Sequence, residues 1–156
     1  MTICSHMICP YCKGNTRIYN SRSTHQKTQT WRRHRCTVCS QTFTTRERMD
    51  WDGVVMVQSN DECTPYNKEH LLLSLINATQ NLKLAPGTAF NLCDTIELQL
   101  QIKGFFKTKH QSAKIITEVA ISVLQRFDPN LAIQYINNIY NNQPPVELLR
   151  EIVNNQ

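Results

Sequence analysis

The chain has 156 residues, of which 40% are hydrophobic and 19% charged, and its formal net charge is +5. This length accommodates one ordinary domain, or a small domain followed by a medium one. No run approaches the roughly 18 consecutive apolar residues of a membrane helix, and residues 1–6 lack the basic and apolar regions of a secretory signal. We therefore expect no membrane partner, and a cytosolic or nuclear protein whose cysteines are reduced.

The charge is distributed unevenly along the chain. Residues 1–50 contain nine Lys and Arg against two acids, a net of +7, whereas residues 51–156 contain eight against ten, a net of −2. Such segregation favours a polyanion-binding module joined to a near-neutral module with a different role.

Two C-x2-C pairs lie in the basic half, with 23 residues between them. Each pair directs two thiolates to the same side of a tight turn, and two pairs complete a tetrahedral structural zinc site. The intervening loop is slightly longer than the usual span of about 15–20 residues. We predict one structural Zn²⁺ bound by Cys9, Cys12, Cys36 and Cys39. Because four cysteines leave no open position for water, this zinc would not be catalytic.

Further potential ligands surround these pairs. Cys4 and His6 have a poor spacing to Cys9, and the two intact pairs make His25 and His34 unnecessary. Residues 1–8 are predicted to be an N-terminal extension, with Met1 or Met7 as the start. Residues 9–45 are too few to bury a core, so their fold would depend on the metal. Short strands predicted at 16–19, 28–35 and 42–45 would form a zinc ribbon.

Arginine is concentrated in and around the second predicted strand. Guanidinium groups bind phosphate and the O6/N7 edge of guanine in two-point contacts, and an indole can stack on a base. Strand alternation separates Arg33 and Arg35 from Arg32, so one duplex surface would not meet all of them. The simpler explanation of these arginines is a solvated charged surface without a partner. However, residues 1–50 contain almost no acids that would neutralise them. We predict binding to double-stranded DNA by Arg17, Arg22, Trp31, Arg32, Arg33 and Arg35.

A polar connector at 46–53 leads to a predicted β-hairpin with strands at 54–58 and 62–66. Helices follow, each with apolar residues at every third or fourth position, and the predicted ranges are 68–79, 89–103, 112–126, 130–141 and a final short helix at 146–153. The predicted fold class is α+β: a small N-terminal zinc ribbon of antiparallel strands followed by a mostly α-helical domain with an opening β-hairpin.

Nothing in the sequence indicates an enzyme. It contains no P-loop, no H-E-x-x-H and no G-x-S-x-G nucleophile elbow. Cys63 and His70 could in principle form a nucleophile–base pair, but no pattern brings them together. We predict a protein without catalytic residues.

With both halves in view, the chain resembles the NrdR family of bacterial ribonucleotide-reductase repressors, from Cys9 to about Asn142. The motifs that carry this resemblance are C-P-Y-C at 9–12, N-S-R at 20–22, R-R-H-R-C at 32–36, T-F-T-T-R-E at 42–47, and S-N-D at 59–61 followed by P-Y-N at 65–67.

The resemblance implies a zinc ribbon at 9–45, the connector at 46–53, an ATP-cone at 54–142 and a C-terminal helix or tail at 143–156. In such a protein ATP or dATP binds the cone and changes the size of a homo-oligomer in the bacterial cytoplasm. The ribbons then gain or lose operator DNA upstream of reductase genes. A nucleotide can do this only by binding one arrangement better than another.

The predicted nucleotide-binding residues are Val57, Gln58, Asn60, Tyr66, Lys68 and His70. The chain departs from the family at four positions where cations are usual: Gln58, Cys63, His70 and Tyr135. Lys68 is then the nearest remaining cation, and backbone N–H groups at the start of the first helix could supplement it. Three alternatives stay open: a cone kept for oligomerisation alone, a regulator acting on a reductase subunit in trans, and a nucleotide-independent zinc-ribbon transcription factor.

Overall fold

The computed structural model describes residues 7–23, 29–60, 62–80, 82–146 and 150. The chain divides into two compact units, residues 1–50 and residues 51–156. Among the described residues, no helix is both long and apolar enough to cross a membrane.

The first unit contains a three-stranded antiparallel sheet in the order β1-β2-β3. Its strands are β1 (Thr16–Ser23), β2 (Gln29–Cys36) and β3 (Thr42–Arg48). Within the described part of this unit the buried residues are Cys9, Thr16, His34 and Cys36. Two of these four are cysteines, so this sheet has hardly any apolar core of its own.

The third strand is longer than its sequence predicted. Residues 46–48, assigned above to the connector, continue β3 because they pair with the start of β2, with Trp31 opposite Arg46 and Gln29 opposite Arg48. Their polar side chains gave no apolar alternation that would signal a strand, and the pairing comes from backbone hydrogen bonds.

The second unit begins with a small mixed sheet. Strands β4 (Met56–Ser59) and β5 (Glu62–Pro65) form the predicted antiparallel hairpin. A third strand, β6 (His110–Ser112), pairs parallel with β4 and was not predicted, because three polar or small residues carry no strand signal. The hairpin also starts later than predicted, since Val54 and Val55 lie in a turn before it.

Among the described residues of this unit, four helices follow the sheet: α1 (Lys68–Thr79), α2 (Thr88–Ile102), α3 (Ala113–Phe127) and α4 (Pro129–Ile139), with a 3-10 turn at Phe105–Lys107. Side chains cap three of them, and Asn67 at the start of α1 accepts a hydrogen bond from the His70 N–H. The predicted final helix at 146–153 lies mostly outside the described residues. The two units confirm the predicted α+β class.

The core of the second unit is formed by apolar side chains from all four helices. Its fully buried large members are Val55, Leu75, Ile96, Leu100, Val119, Leu124, Leu131 and Ile136. The helix periodicity seen in the sequence thus corresponds to one shared interior.

Candidate metal centre and nucleic-acid interface

The two cysteine pairs adopt the same backbone conformation. In each, the residue after the second cysteine has a left-handed backbone, with φ of 61° at Lys13 and 59° at Ser40. In each, the N–H of the first cysteine donates to the carbonyl five residues later, at 2.9 Å, with Gly14 and Gln41 as the acceptors. A repeated knuckle of this kind brings two sulfurs to the same side of its turn.

The turns also lie close to one another. A Cβ atom at Gly14 would be only 2.8 Å from Cγ2 of Val38, so the approach of the first turn to the second requires glycine at this position. The Thr37 N–H donates to the Asn15 carbonyl at 2.9 Å and joins the turns directly.

The four sulfurs form a cluster whose dimensions fit zinc. All four Sγ atoms of Cys9, Cys12, Cys36 and Cys39 lie within 4.8 Å of one another. The Cys9–Cys39 separation is 3.7 Å and the Cys12–Cys36 separation 3.5 Å, too long for disulfides. A tetrahedron with Zn–S bonds of about 2.3 Å has S···S edges of about 3.8 Å. The described residues thus provide one closed Cys4 site, in agreement with the prediction.

The protonation behaviour of the cluster also points to a cation. Backbone N–H groups, first that of Cys39 and also that of Val38, donate to Cys36 Sγ and lower the pKa of Cys36 to about 6. The backbone of Gln41 acts in the same direction on Cys39, but burial and the neighbouring cysteine sulfurs outweigh it and raise the pKa of Cys39 to about 12. One thiolate is favoured and a second beside it is opposed, so several thiolates need a bound cation to coexist.

His34 is not part of the cluster. Its ring nitrogen Nε2 lies 2.9 Å from the Thr45 hydroxyl, and its ring stacks on Phe43 with centroids 5.0 Å apart. Phe43 thus packs on His34. The remaining alternative ligands, Cys4, His6 and His25, lie outside the described residues.

The sheet gathers most of the predicted DNA-binding side chains on one face. On a strand, directly opposed residues share a face. Arg35 is opposite Arg17, and Trp31 is opposite Arg22. Alternation along β2 adds Arg33 to the same face. Five of the six predicted residues are thereby together.

A β-bulge makes this grouping possible. Arg17 and Arg22 are five residues apart, so an uninterrupted strand would place them on opposite faces. The register of β1 shifts between Ile18 and Asn20, and the extra residue, Tyr19, returns Arg22 to the face of Arg17. Nothing in the sequence alone marks this irregularity.

Arg32 is the exception among the predicted residues. It lies on the opposite face of β2, where its guanidinium forms an ion pair with Glu47. The sequence also gave no role to Arg46, which lies directly opposite Trp31 on the arginine-bearing face. The sequence carried no signal for Arg46, because residues 46–48 lack the apolar alternation that marks a strand. We call Arg17, Arg22, Trp31, Arg33, Arg35 and Arg46 the arginine face.

In the second unit, a cavity of about 180 Å³ lies between the hairpin and the helices. Three of the predicted nucleotide-binding residues line it, namely Val57, Tyr66 and His70, and Tyr135 lines it from α4. Desolvation raises the pKa of Tyr135, which is almost fully buried. Apart from His70, the described lining contains no residue with a cationic side chain.

Lys68, the predicted cation for the phosphates, is directed elsewhere. Its Nζ donates to Asp94 at 2.5 Å and to Glu97 at 2.7 Å, both on α2. Burial alone would lower the pKa of Lys68, but these two carboxylates raise it. The Tyr66 hydroxyl donates to Glu97 at 3.2 Å, and burial followed by the Glu97 charge raises the pKa of Tyr66 strongly. Lys68 therefore belongs to a charged network that joins α1 to α2.

The remaining predicted residues are at the tip of the hairpin. The Gln58 amide donates to the Asn60 carbonyl at 2.7 Å, and Asn60 has a left-handed backbone with φ of 50°. Both line an open groove of about 940 Å³ that also includes Lys114 at the start of α3. Cys63 is exposed opposite Gln58. The six predicted residues therefore fall into three places: the cavity, this groove and the Lys68 network.

Comparison with known proteins identifies relatives along nearly the whole chain. Residues 7–47 match the family model described as "Transcriptional repressor NrdR-like, N-terminal domain", a zinc ribbon. A protein named transcriptional repressor NrdR from Halorubrum lacusprofundi is 29% identical over 147 residues, covering 94% of this chain and 89% of the relative. NrdR from Dehalococcoides mccartyi is 29% identical over 96% of this chain and 82% of the relative, and NrdR from Herpetosiphon aurantiacus is 27% identical over 94% and 95%.

The N-terminal match covers the cysteine cluster and all but the last residue of β3, and the whole-length matches continue through the helical unit. This agrees with the resemblance drawn from the motifs. The chain is therefore an NrdR relative whose first unit is a zinc ribbon of the NrdR type.

Proposed function

We propose that this protein is a zinc-dependent transcriptional repressor in the bacterial cytoplasm, which binds operator DNA through the arginine face of its ribbon. The observation that carries the proposal is the grouping of five arginines and one tryptophan on one side of a metal-held sheet. The relatives are named transcriptional repressors, a regulatory role that agrees with the lack of enzyme motifs in this sequence.

The chemistry of this face suits double-stranded DNA. Two-stranded β-ribbons fit the major groove, where arginine can contact the guanine edge, while other arginines contact phosphates. Residues opposite Arg33 and Arg35 are neutral or basic, namely Asn20, Thr44, Arg17 and Thr42. Since these neighbours do not neutralise the two guanidinium groups, their charge remains available to a polyanion.

Operators upstream of ribonucleotide reductase genes are the targets that the NrdR resemblance implies. Such sites need two or more ribbons at a spacing that matches the helical repeat of DNA. We therefore propose that the protein acts as a homo-oligomer.

We further propose that ATP or dATP regulates this binding from the cavity between the hairpin and α1. Support comes from the joint position there of Val57, Tyr66 and His70. The described cavity, about 180 Å³, is smaller than the roughly 300–1,000 Å³ usual for ligand pockets, so a nucleotide would require it to widen or extend.

A second candidate function is a nucleotide-independent zinc-ribbon repressor. The observation that favours it is the engagement of Lys68 by Asp94 and Glu97, which leaves His70 as the only basic side chain in the described cavity lining. Triphosphate binding there would depend chiefly on backbone N–H groups of α1.

The test is DNA binding by the full zinc-loaded protein. Fluorescence anisotropy with reductase promoter DNA, without nucleotide and with ATP or dATP, should show binding that weakens as salt increases. Absence of salt-dependent binding in every nucleotide state would refute the repressor proposal. Calorimetric titration with ATP and dATP decides between the two candidates, because heat of binding is expected only for the nucleotide-responsive one.

A further inference from the structure

The first two residues of the helical unit are fastened to it by separate contacts. The Trp51 ring stacks on Phe106, with centroids 4.3 Å apart and planes 7° from parallel. The Asp52 carboxylate accepts a hydrogen bond from the Lys68 N–H at 2.7 Å. Since β3 ends at Arg48, only two residues, 49 and 50, lie between the ribbon's sheet and these contacts. The chain is thus held where it enters the helical unit.

The residues that contact Trp51 and Asp52 also adjoin the residues that line the cavity. Phe106 meets the Tyr66 ring edge to face, at 5.3 Å and 78°. Tyr66 lines the cavity, together with Asn67 and His70 from the start of α1. Lys68, whose N–H is bonded to Asp52, lies between these two residues in sequence. A displacement of Tyr66 would therefore disturb the stack of Trp51 on Phe106, and a displacement of the first turn of α1 would disturb the hydrogen bond to Asp52.

The charged network joins the first turn of α1 firmly to α2 and to Tyr66. Lys68 Nζ joins it to Asp94 and Glu97, and Glu97 is 9% exposed. The Tyr66 hydroxyl bonds the second oxygen of Glu97 at 3.2 Å. Because a buried network of this kind has few alternative arrangements, the turn and Tyr66 are expected to move together.

We propose that Trp51 and Asp52 form a clamp that couples the cavity to the ribbon. An occupant that shifts Tyr66 or the first turn of α1 alters the clamp, and thereby the attachment of residues 49 and 50, which lead to the ribbon. The coupling rests on the proposed function, since it needs a ligand in the cavity and DNA on the arginine face. The ligand can act only through different affinities for the clamped and the altered arrangement.

Asp52→Ala in the full zinc-loaded protein tests the clamp, with ATP as the probe and the ratio of DNA affinities with and without ATP as the readout. A wild-type ratio of about 5-fold or more is expected to fall below about twofold, while ATP affinity stays within about threefold of wild type. Asp52→Asn retains a side-chain oxygen that accepts from the Lys68 N–H, so it should restore the wild-type ratio.

The matched control is Asp128→Ala. Asp128 caps α4 through the Asn130 N–H at 2.8 Å, so its loss removes a similar bond away from the clamp. It should leave the ratio unchanged. A wild-type ratio in Asp52→Ala, or an equal loss in Asp128→Ala, would overturn the clamp and leave the proposed function standing. If ATP does not alter the DNA affinity of wild type, the coupling and the nucleotide part of the proposed function fail together.

Trp51 itself gives an independent readout. The chain has two tryptophans, so Trp31→Phe leaves Trp51 as the sole indole. Its emission should shift when ATP is added, because the stack on Phe106 changes. Unchanged emission at ATP concentrations that calorimetry shows to be saturating would overturn the clamp.

Discussion

The two units of this protein use charge in opposite ways. The ribbon has few buried side chains and exposes Arg33 and Arg35 on a sheet organised by four cysteines. The helical unit has a large apolar core and holds Lys68 between two carboxylates. Arg32 behaves like Lys68, since it pairs with Glu47. A cation's role is thus decided by its face and its neighbours rather than by its position in a basic run.

The largest expected effect separates the metal-held unit from the core-held unit. Cys36→Ser should abolish zinc binding and unfold the ribbon, because structural zinc supplies roughly 10–16 kcal/mol of apparent binding energy. The helical unit should stay folded. Zinc content by mass spectrometry and helix circular dichroism at 222 nm measure the two outcomes.

Cys63→Ser is the control, since Cys63 is exposed and outside the cluster. It should retain one zinc per chain. Loss of the helical signal in Cys36→Ser would show that the folding of the helical unit depends on the ribbon, and would contradict its independent stability.

A substitution in the apolar core should have the opposite effect: it should destabilise the helical unit and leave the ribbon unaffected. Leu75 is fully buried in the helical unit, so Leu75→Ala should lower its free energy of unfolding by about 2–5 kcal/mol. Zinc binding should be unchanged. Leu73→Ala, at a position 56% exposed on the same helix, should cost less than about 0.5 kcal/mol in urea unfolding. Equal losses would contradict the position of the core.

Replacing Lys68 distinguishes a structural cation from a phosphate ligand. Lys68→Met should cost about 1–3 kcal/mol, because Asp94 and Glu97 lose their donor. ATP affinity should change little, since the Lys68 ammonium is engaged by α2. The control Lys114→Met removes an exposed pair with Glu118 at 3.8 Å and should cost less than about 0.5 kcal/mol. A large loss of ATP affinity with unchanged stability would restore Lys68 as a ligand.

The buried network also predicts a loss of stability at high pH. The pKa values of Tyr66 and Lys68 are raised in the folded state, so the folded protein keeps protons that the unfolded chain releases above about pH 10. The protonation of these two groups should therefore leave the free energy of unfolding independent of pH below about pH 10. Above pH 10 the free energy of unfolding should fall, by at most about 1.4 kcal/mol per pH unit for each group.

Denaturant unfolding between pH 8 and about 11.5 measures this slope. Tyr66→Phe should reduce it, whereas Tyr140→Phe at an exposed position should leave it unchanged. An unaltered slope in Tyr66→Phe would show that Tyr66 titrates freely in the folded state.

Local patterns in the sequence were sufficient for much of this architecture. The C-x2-C spacing predicted the metal site, and the helix periodicity located the helices. Both signals depend on residues close together in the chain, so both could be recognised from the sequence alone.

Features set by distant partners were not predictable in this way. The bulge at Tyr19, the strand β6 and the ion pairs of Arg32 and Lys68 depend on residues that become neighbours only in the folded protein. Six DNA-binding residues were therefore predicted where five share a face. The nucleotide-binding set likewise falls in three places.

The most direct test of the account compares the two faces of β2. In anisotropy titrations with operator DNA, Arg33→Ala should lose about 1–3 kcal/mol of binding free energy and Arg35→Ala a similar amount. The double variant should also have a smaller salt dependence. Arg32→Ala, from the same strand but the opposite face, should retain wild-type affinity. Full affinity in the double variant, or an equal loss in Arg32→Ala, would contradict DNA binding by the arginine face.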